Sequence, residues 1–144
     1  MGTTALQALA TLRAAADDGR LAALCHRHDI DLVTAFGSAV RVDRSGAEEP
    51  APRDLDVAVR FAGRGGDLVA VVTDLVDLLA LDAVDVMDLG RAGVVARSRA
   101  LGPTAEPLHE ASPGLHALAQ MAALTTEMET ERLRRWDLDL LASR

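Results

Sequence analysis

The fold of this chain turns on Asp54-Leu55-Asp56-Val57-Ala58-Val59-Arg60-Phe61. Leu55, Val57, Val59 and Phe61 alternate with Asp54, Asp56, Ala58 and Arg60, the period of a β-strand with one apolar face. The same period sends the side chains of Asp54 and Asp56 to one side. Acids are disfavoured in strands, so two of them at a strand entry need a reason beyond folding. Upstream, Ile30 to Phe36 is short, β-branched and apolar, which predicts a strand that stops at Gly37-Ser38. Downstream, Ala83 to Leu89 predicts a third strand, with Asp82, Asp85 and Asp88 on or beside it.

Helical periods surround these strands. Thr3 or Thr4 can cap a first helix that turns Leu6, Leu9, Leu12 and Ala16 inward, and Asp17-Asp18-Gly19 punctuates it. Leu21, Leu24 and Cys25 share one face of a second helix. Residues 42–53 hold two prolines, a glycine and several charges with no apolar period, which predicts an exposed, mobile loop. Asp67 suits the N-cap of a helix through Ala80, with Leu68, Val71, Val72, Leu75, Leu78 and Leu79 as its stripe. A short helix is expected over Ala92 to Leu101, and an edge strand over Pro107 to His109. Ser112-Pro113 reads as a cap and first helical position. It would open a long helix over 112–141, with Leu115, Leu118, Ala122, Met128, Leu133, Trp136 and Leu140 available for packing. The order implies an α/β (α+β) fold: a small mixed sheet, helices packed on it, and a long C-terminal helix.

A chain of 144 residues fits one domain over 1–144, and it can bury enough surface to need no staples. With 15 arginines against 22 acids the net charge is −7, and lysine is absent. So acidic a chain is not expected to bind DNA directly on its own, because counterion release needs a basic patch. Cys25, the only cysteine, cannot form an intrachain disulfide and reads as a small buried hydrophobe. The first residues lack the basic-then-apolar pattern of a secretory signal, and no apolar run is long enough to span a bilayer. A soluble, cytoplasmic protein is expected.

Chemistry concentrates in Gly37-Ser38, Asp54-Leu55-Asp56 and the acids of the third strand. Gly37 permits a tight turn and close approach of a ligand. Ser38 offers a hydroxyl and an N–H where a helix could begin, which suits a phosphate. Three carboxylates in one place repel unless cations neutralise them. Hard oxygen donors suit Mg²⁺, which often takes one or two carboxylates plus substrate phosphates. Two such ions could activate an attacking oxygen and stabilise a leaving pyrophosphate.

The run Ala35-Phe36-Gly37-Ser38-Ala39-Val40-Arg41, the loop after it, Asp54-Leu55-Asp56 and a later strand acid resemble the nucleotidyltransferase fold of the DNA polymerase β superfamily. In size the chain is similar to the minimal, MNT-type members, which often serve as antitoxins paired with HEPN-domain toxins. The resemblance covers most of residues 20 to 140. It implies that Gly37, Ser38 and Arg41 bind the nucleotide. It implies that Asp54, Asp56 and Asp85 are the catalytic, Mg²⁺-binding carboxylates, with two ions. It thus favours Asp85 over its neighbours, Asp88 pointing to the opposite face. The implied reaction is transfer of AMP, or another nucleoside monophosphate, from ATP to a tyrosine of a HEPN partner in a hetero-oligomer. The chain contains no tyrosine, so such an acceptor must lie on another protein.

Fifteen residues separate Ser38 from Asp54, more than in the family, and Arg53 stands where a small hydroxyl residue is common. A second reading therefore keeps the fold and neutralises a basic partner nuclease by contact. A third, transfer to a small molecule such as an aminoglycoside, usually needs a larger C-terminal substrate domain. Elsewhere plainer readings hold. His26 and His28 fall on different helix faces and read as surface residues. Gly63-Arg64-Gly65-Gly66 reads as a turn. Arg132, Arg134 and Arg135 beside Trp136 read as a solvated helix face or a partner contact.

Overall fold

The computed structural model describes residues 2–46 and 51–144. Thr4 starts the first helix by a reciprocal cap: its hydroxyl accepts the Gln7 N–H at 3.2 Å, and Gln7 Oε1 accepts the Thr4 N–H at 2.9 Å. This helix, α1 (Ala5–Asp18), buries Ala5, Ala8, Leu9, Leu12 and Ala15. Leu6 was expected inward and is exposed instead, because the i, i+3, i+4, i+7 arc begins at Ala5. Gly19, at φ +90°, ends α1 and begins α2 (Arg20–His28), which buries Leu21, Leu24 and Cys25.

The chain then enters β1 (Ile30–Phe36), turns at Gly37 into α3 (Ser38–Ser45), and returns through β2 (Leu55–Phe61). Next come α4 (Leu68–Leu79), β3 (Val84–Asp88), α5 (Val94–Ala100), β4 (Glu106–Glu110) and α6 (Leu115–Ala142). The sheet order is β3-β2-β1-β4. β1 pairs antiparallel with both β2 and β4, whereas β2 and β3 run parallel. The expected mixed sheet is therefore present, including the edge strand at β4.

Both faces of the sheet are covered. Val33, Ala35, Leu55, Val57 and Val59 pack with buried residues of α1, α2, α3 and α4. Leu32, Phe36 and Ala58 pack on the other side with Ala100, Leu101 and Ala123. Thr34, a buried polar residue, donates its hydroxyl proton to the Ala100 carbonyl at 2.8 Å, which pins the end of α5 over β1.

Three expectations change. First, residues 42–45 are not loop: they complete α3, whose Ala39 and Val40 are buried, and Gly46 closes it at φ +68° with its N–H on the Val42 carbonyl. Two buried residues anchor this helix, too few to show as an apolar period. Residues 51–54 have no regular structure, and the part of the expected mobile loop at 47–50 lies outside the described residues. Second, Ser112 does not cap α6. The turn out of β4 needs a left-handed residue, supplied by Gly114 at φ +89°, and Glu110 accepts the His116 N–H at 2.7 Å in place of a serine cap. Third, most of α6 does not pack on the rest of the chain. Its 28 residues span about 42 Å, longer than a four-stranded sheet is wide. Ala123 is buried, but Leu118, Met128, Leu133, Trp136 and Leu140 are exposed. Among the described residues, no helix is long and apolar enough to cross a membrane.

Candidate active site

The turn from β1 to α3 sets the site. Gly37 adopts φ +80°, ψ −156°, which an L side chain rarely takes. A Cβ on Gly37 would run into the carboxylate of Asp56. The backbone of the turn therefore lies directly against that acid. Ser38 is the first residue of α3, whose N-terminus has no side-chain cap. Its free N–H groups and the positive end of the helix dipole open beside Asp56. Arg41 donates its own N–H to the Gly37 carbonyl at 3.1 Å and leaves its side chain exposed.

Asp56 is central in the sheet. It stands opposite Phe36 in β1 and opposite Asp85 in β3. Partners in adjacent strands, roughly 4.8 Å apart, project their side chains from the same face. Asp54 precedes β2 by one residue and is exposed, as is Asp85, while Asp56 is half-buried. Burial, then the negative charges of Asp85 and Asp54, hold the Asp56 carboxyl above the usual carboxylate range; Arg99 and Arg41 pull it back. The structure thus brings together Gly37, Ser38, Arg41, Asp54, Asp56 and Asp85 at one end of the sheet.

Arg99 is the member that sequence reasoning missed. It lies at the end of α5, next to the Ala100 that β1 pins. Thr34 pairs with Ala58, one pleat along from the Phe36–Asp56 pair, so α5 ends close to the acids. Among the described residues neither Arg41 nor Arg99 is tied up in an ion pair. No spacing in the sequence marks Arg99, because its place depends on how α5 crosses the sheet.

The donor set fits a hard cation. Among the described residues, no group of three or more His, Cys, Asp or Glu side chains is already arranged to hold a metal ion. The three carboxylates occupy neighbouring positions on one face instead of surrounding a point. That suits Mg²⁺, which completes its shell with water and substrate phosphates. The Asp56 carboxyl is raised first by burial and then by the same crowding of negative charge, and a cation relieves the crowding. Asp54 and Asp85 lie open on the surface, with Asp56 half-buried between them. One concave cavity, of about 260 Å³, is at the far end of the same sheet face, lined by Arg60, Leu89, Arg97 and α6.

Other singled-out residues have structural roles. Burial pushes the Cys25 thiol up to about 12, leaving it unreactive. His26 is exposed as expected, but His28 is not a free surface residue: its Nε2 lies 2.6 Å from Asp74 of α4 and joins α2 to that helix. Asp88 accepts the Gly90 N–H at 2.9 Å and shapes the turn after β3.

No protein-family model and no curated protein matches this chain. Solved structures do. A toxin-antitoxin complex with AMP-PNP is similar over 85% of this chain and 96% of its own, at TM-score 0.63 and 18% identity. A toxin-antitoxin MntA-HpeT mutant is similar over the same shares, at TM-score 0.64 and 16% identity. A complex of a tri-AMPylated Shewanella oneidensis HEPN toxin with an MNT antitoxin is similar over 85% of this chain and 93% of its own, at TM-score 0.60 and 18% identity. The fold of this chain is that of the MNT-type antitoxin structures.

Proposed function

We propose that this chain is a single minimal nucleotidyltransferase domain, the antitoxin of a HEPN/MNT pair, which transfers AMP from ATP to a tyrosine hydroxyl of its partner toxin. One observation carries the reading: a half-buried Asp56 wedged between the Gly37 turn and Asp85, with Asp54 beside it and two arginines nearby that form no ion pair among the described residues. Support also comes from the similar structures, one with AMP-PNP and one with a tri-AMPylated toxin. A third is a mutant with two aspartate-to-glutamate changes two positions apart, the spacing of Asp54 and Asp56.

In this reading, Gly37 and Ser38 receive the β- and γ-phosphates against the open N–H groups of α3. Arg41 and Arg99 lie along the same anion. Asp54, Asp56 and Asp85 hold two Mg²⁺ ions, which supply the positive charge that lets carboxylates and phosphates share one site. Asp85 accepts the tyrosine proton as the tyrosine oxygen bonds to the α-phosphorus. The bond from that phosphorus to the bridging oxygen breaks, and pyrophosphate leaves.

The test uses purified protein, Mg²⁺, α-phosphate-labelled ATP and the partner toxin. Label on the toxin is expected, and its loss in the Asp54→Asn, Asp56→Asn double variant with an unchanged circular dichroism spectrum. Label transferred by the double variant overturns the carboxylate assignment. A double variant that transfers nothing yet still neutralises the toxin supports antitoxin action by contact instead.

A further inference from the structure

Most of α6 lies exposed: a stripe of apolar side chains from Met121 to Leu140 is uncovered, and Leu138 and Leu141 are exposed on the opposite face. Met121, Thr125, Met128, Arg132, Trp136 and Leu140 recur at three- and four-residue steps, with Glu129 and Leu133 alongside. Met121, Met128, Leu133, Trp136 and Leu140 are each more than half exposed. An apolar stripe of this kind, roughly 30 Å from end to end, is a surface built to be covered.

Its pattern is complementary to itself. When two copies of the helix run antiparallel about a two-fold axis between Thr130 and Glu131, Met121 of one faces Leu140 of the other. Met128 faces Leu133, and Thr125 faces Trp136. In the same register Glu129 faces Arg132, and the symmetry makes every pair occur twice. Arg132 already lies over the Trp136 ring, 5.4 Å from its centre, which orders the guanidinium against the stripe.

We infer that α6 is a homodimerisation helix, which pairs antiparallel with α6 of a second copy of this chain through Met121, Met128, Leu133, Trp136 and Leu140 and through reciprocal Glu129–Arg132 ion pairs. The acidic site lies on another part of the molecule, so this pairing stands whatever the activity of that site.

Light scattering and analytical ultracentrifugation of the full chain test it. A mass of twice the monomer is expected at micromolar concentration. Leu133→Glu should weaken association on the order of tenfold or more, since the change enters the interface twice. These side chains are exposed in the single chain, so the helical circular dichroism signal should persist. Glu129→Arg alone should also weaken the dimer, and adding Arg132→Glu should restore it. A chain that stays monomeric up to millimolar concentration overturns the inference. So does a dimer unmoved by Leu133→Glu, which must use another surface, or one that Arg132→Glu fails to restore. So does a monomer whose α6 is covered only by a different protein.

Discussion

Gly37 and Asp56 lie so close that a methyl group on residue 37 has no room beside the carboxylate. The contact joins the end of β1 to the start of β2, and it makes the Gly37 turn and the acidic strand one unit. Replacing Gly37 by alanine imposes both a left-handed backbone strain and a displaced Asp56. Thermal unfolding should show a loss of about 1–3 kcal/mol. Nucleotidyl transfer should fall further than in Ser38→Ala, which leaves the backbone free.

Asp56 makes the fold pay for its position. Its carboxyl is held above the usual range by burial and by Asp85 and Asp54. A raised carboxylate pKa stabilises the folded state only where the acid is protonated, and that contribution disappears as pH rises through the folded value. Asp56→Asn, which mimics the protonated form, should therefore raise Tm at pH 7. The difference should shrink as pH falls through the raised pKa. The same variant should lose transfer activity, a gain in stability against function. An equal Tm for the two proteins at pH 7 contradicts this account.

Arg99 offsets the acidic charge on Asp56 without forming an ion pair of its own among the described residues. If its partner is the nucleotide's triphosphate, Arg99→Gln should lower transfer about 10- to 100-fold, the size of one lost charge-assisted contact. Arg44→Gln, at the exposed far end of α3, should have little effect. Comparing the two under saturating ATP separates loss of a contact from loss of net charge.

His28 and Asp74 connect α2 to α4. The hydrogen bond from His28 holds the Asp74 carboxyl below its ordinary range, with Arg27 adding to the pull. A depressed carboxylate pKa contributes stability above the unfolded value, and it is lost as pH falls through the folded value. Asp74→Asn should lower Tm at neutral pH. The two proteins should converge in acid, as measured by calorimetry across the range.

Much of this architecture is written locally. The β-branched run Ile30–Phe36 forms its strand with the expected bounds. The alternation from Leu55 to Phe61 puts Asp54 and Asp56 on one face by period alone. Thr4 and Asp67 cap their helices with their own side chains, within three residues of sequence. Such features need only neighbouring residues, so the sequence by itself determined them. Tertiary structure decided the rest. Asp85 joins Asp56 because β2 and β3 pair in one parallel register, which no local period specifies. Helix α3 forms because Ala39 and Val40 meet the core, not because its polar remainder favours a helix. Arg99 reaches the acids only through the crossing of α5 over β1. The apolar residues of α6 announced a face to be buried, but whether the chain itself would cover it depended on where a four-stranded sheet ends.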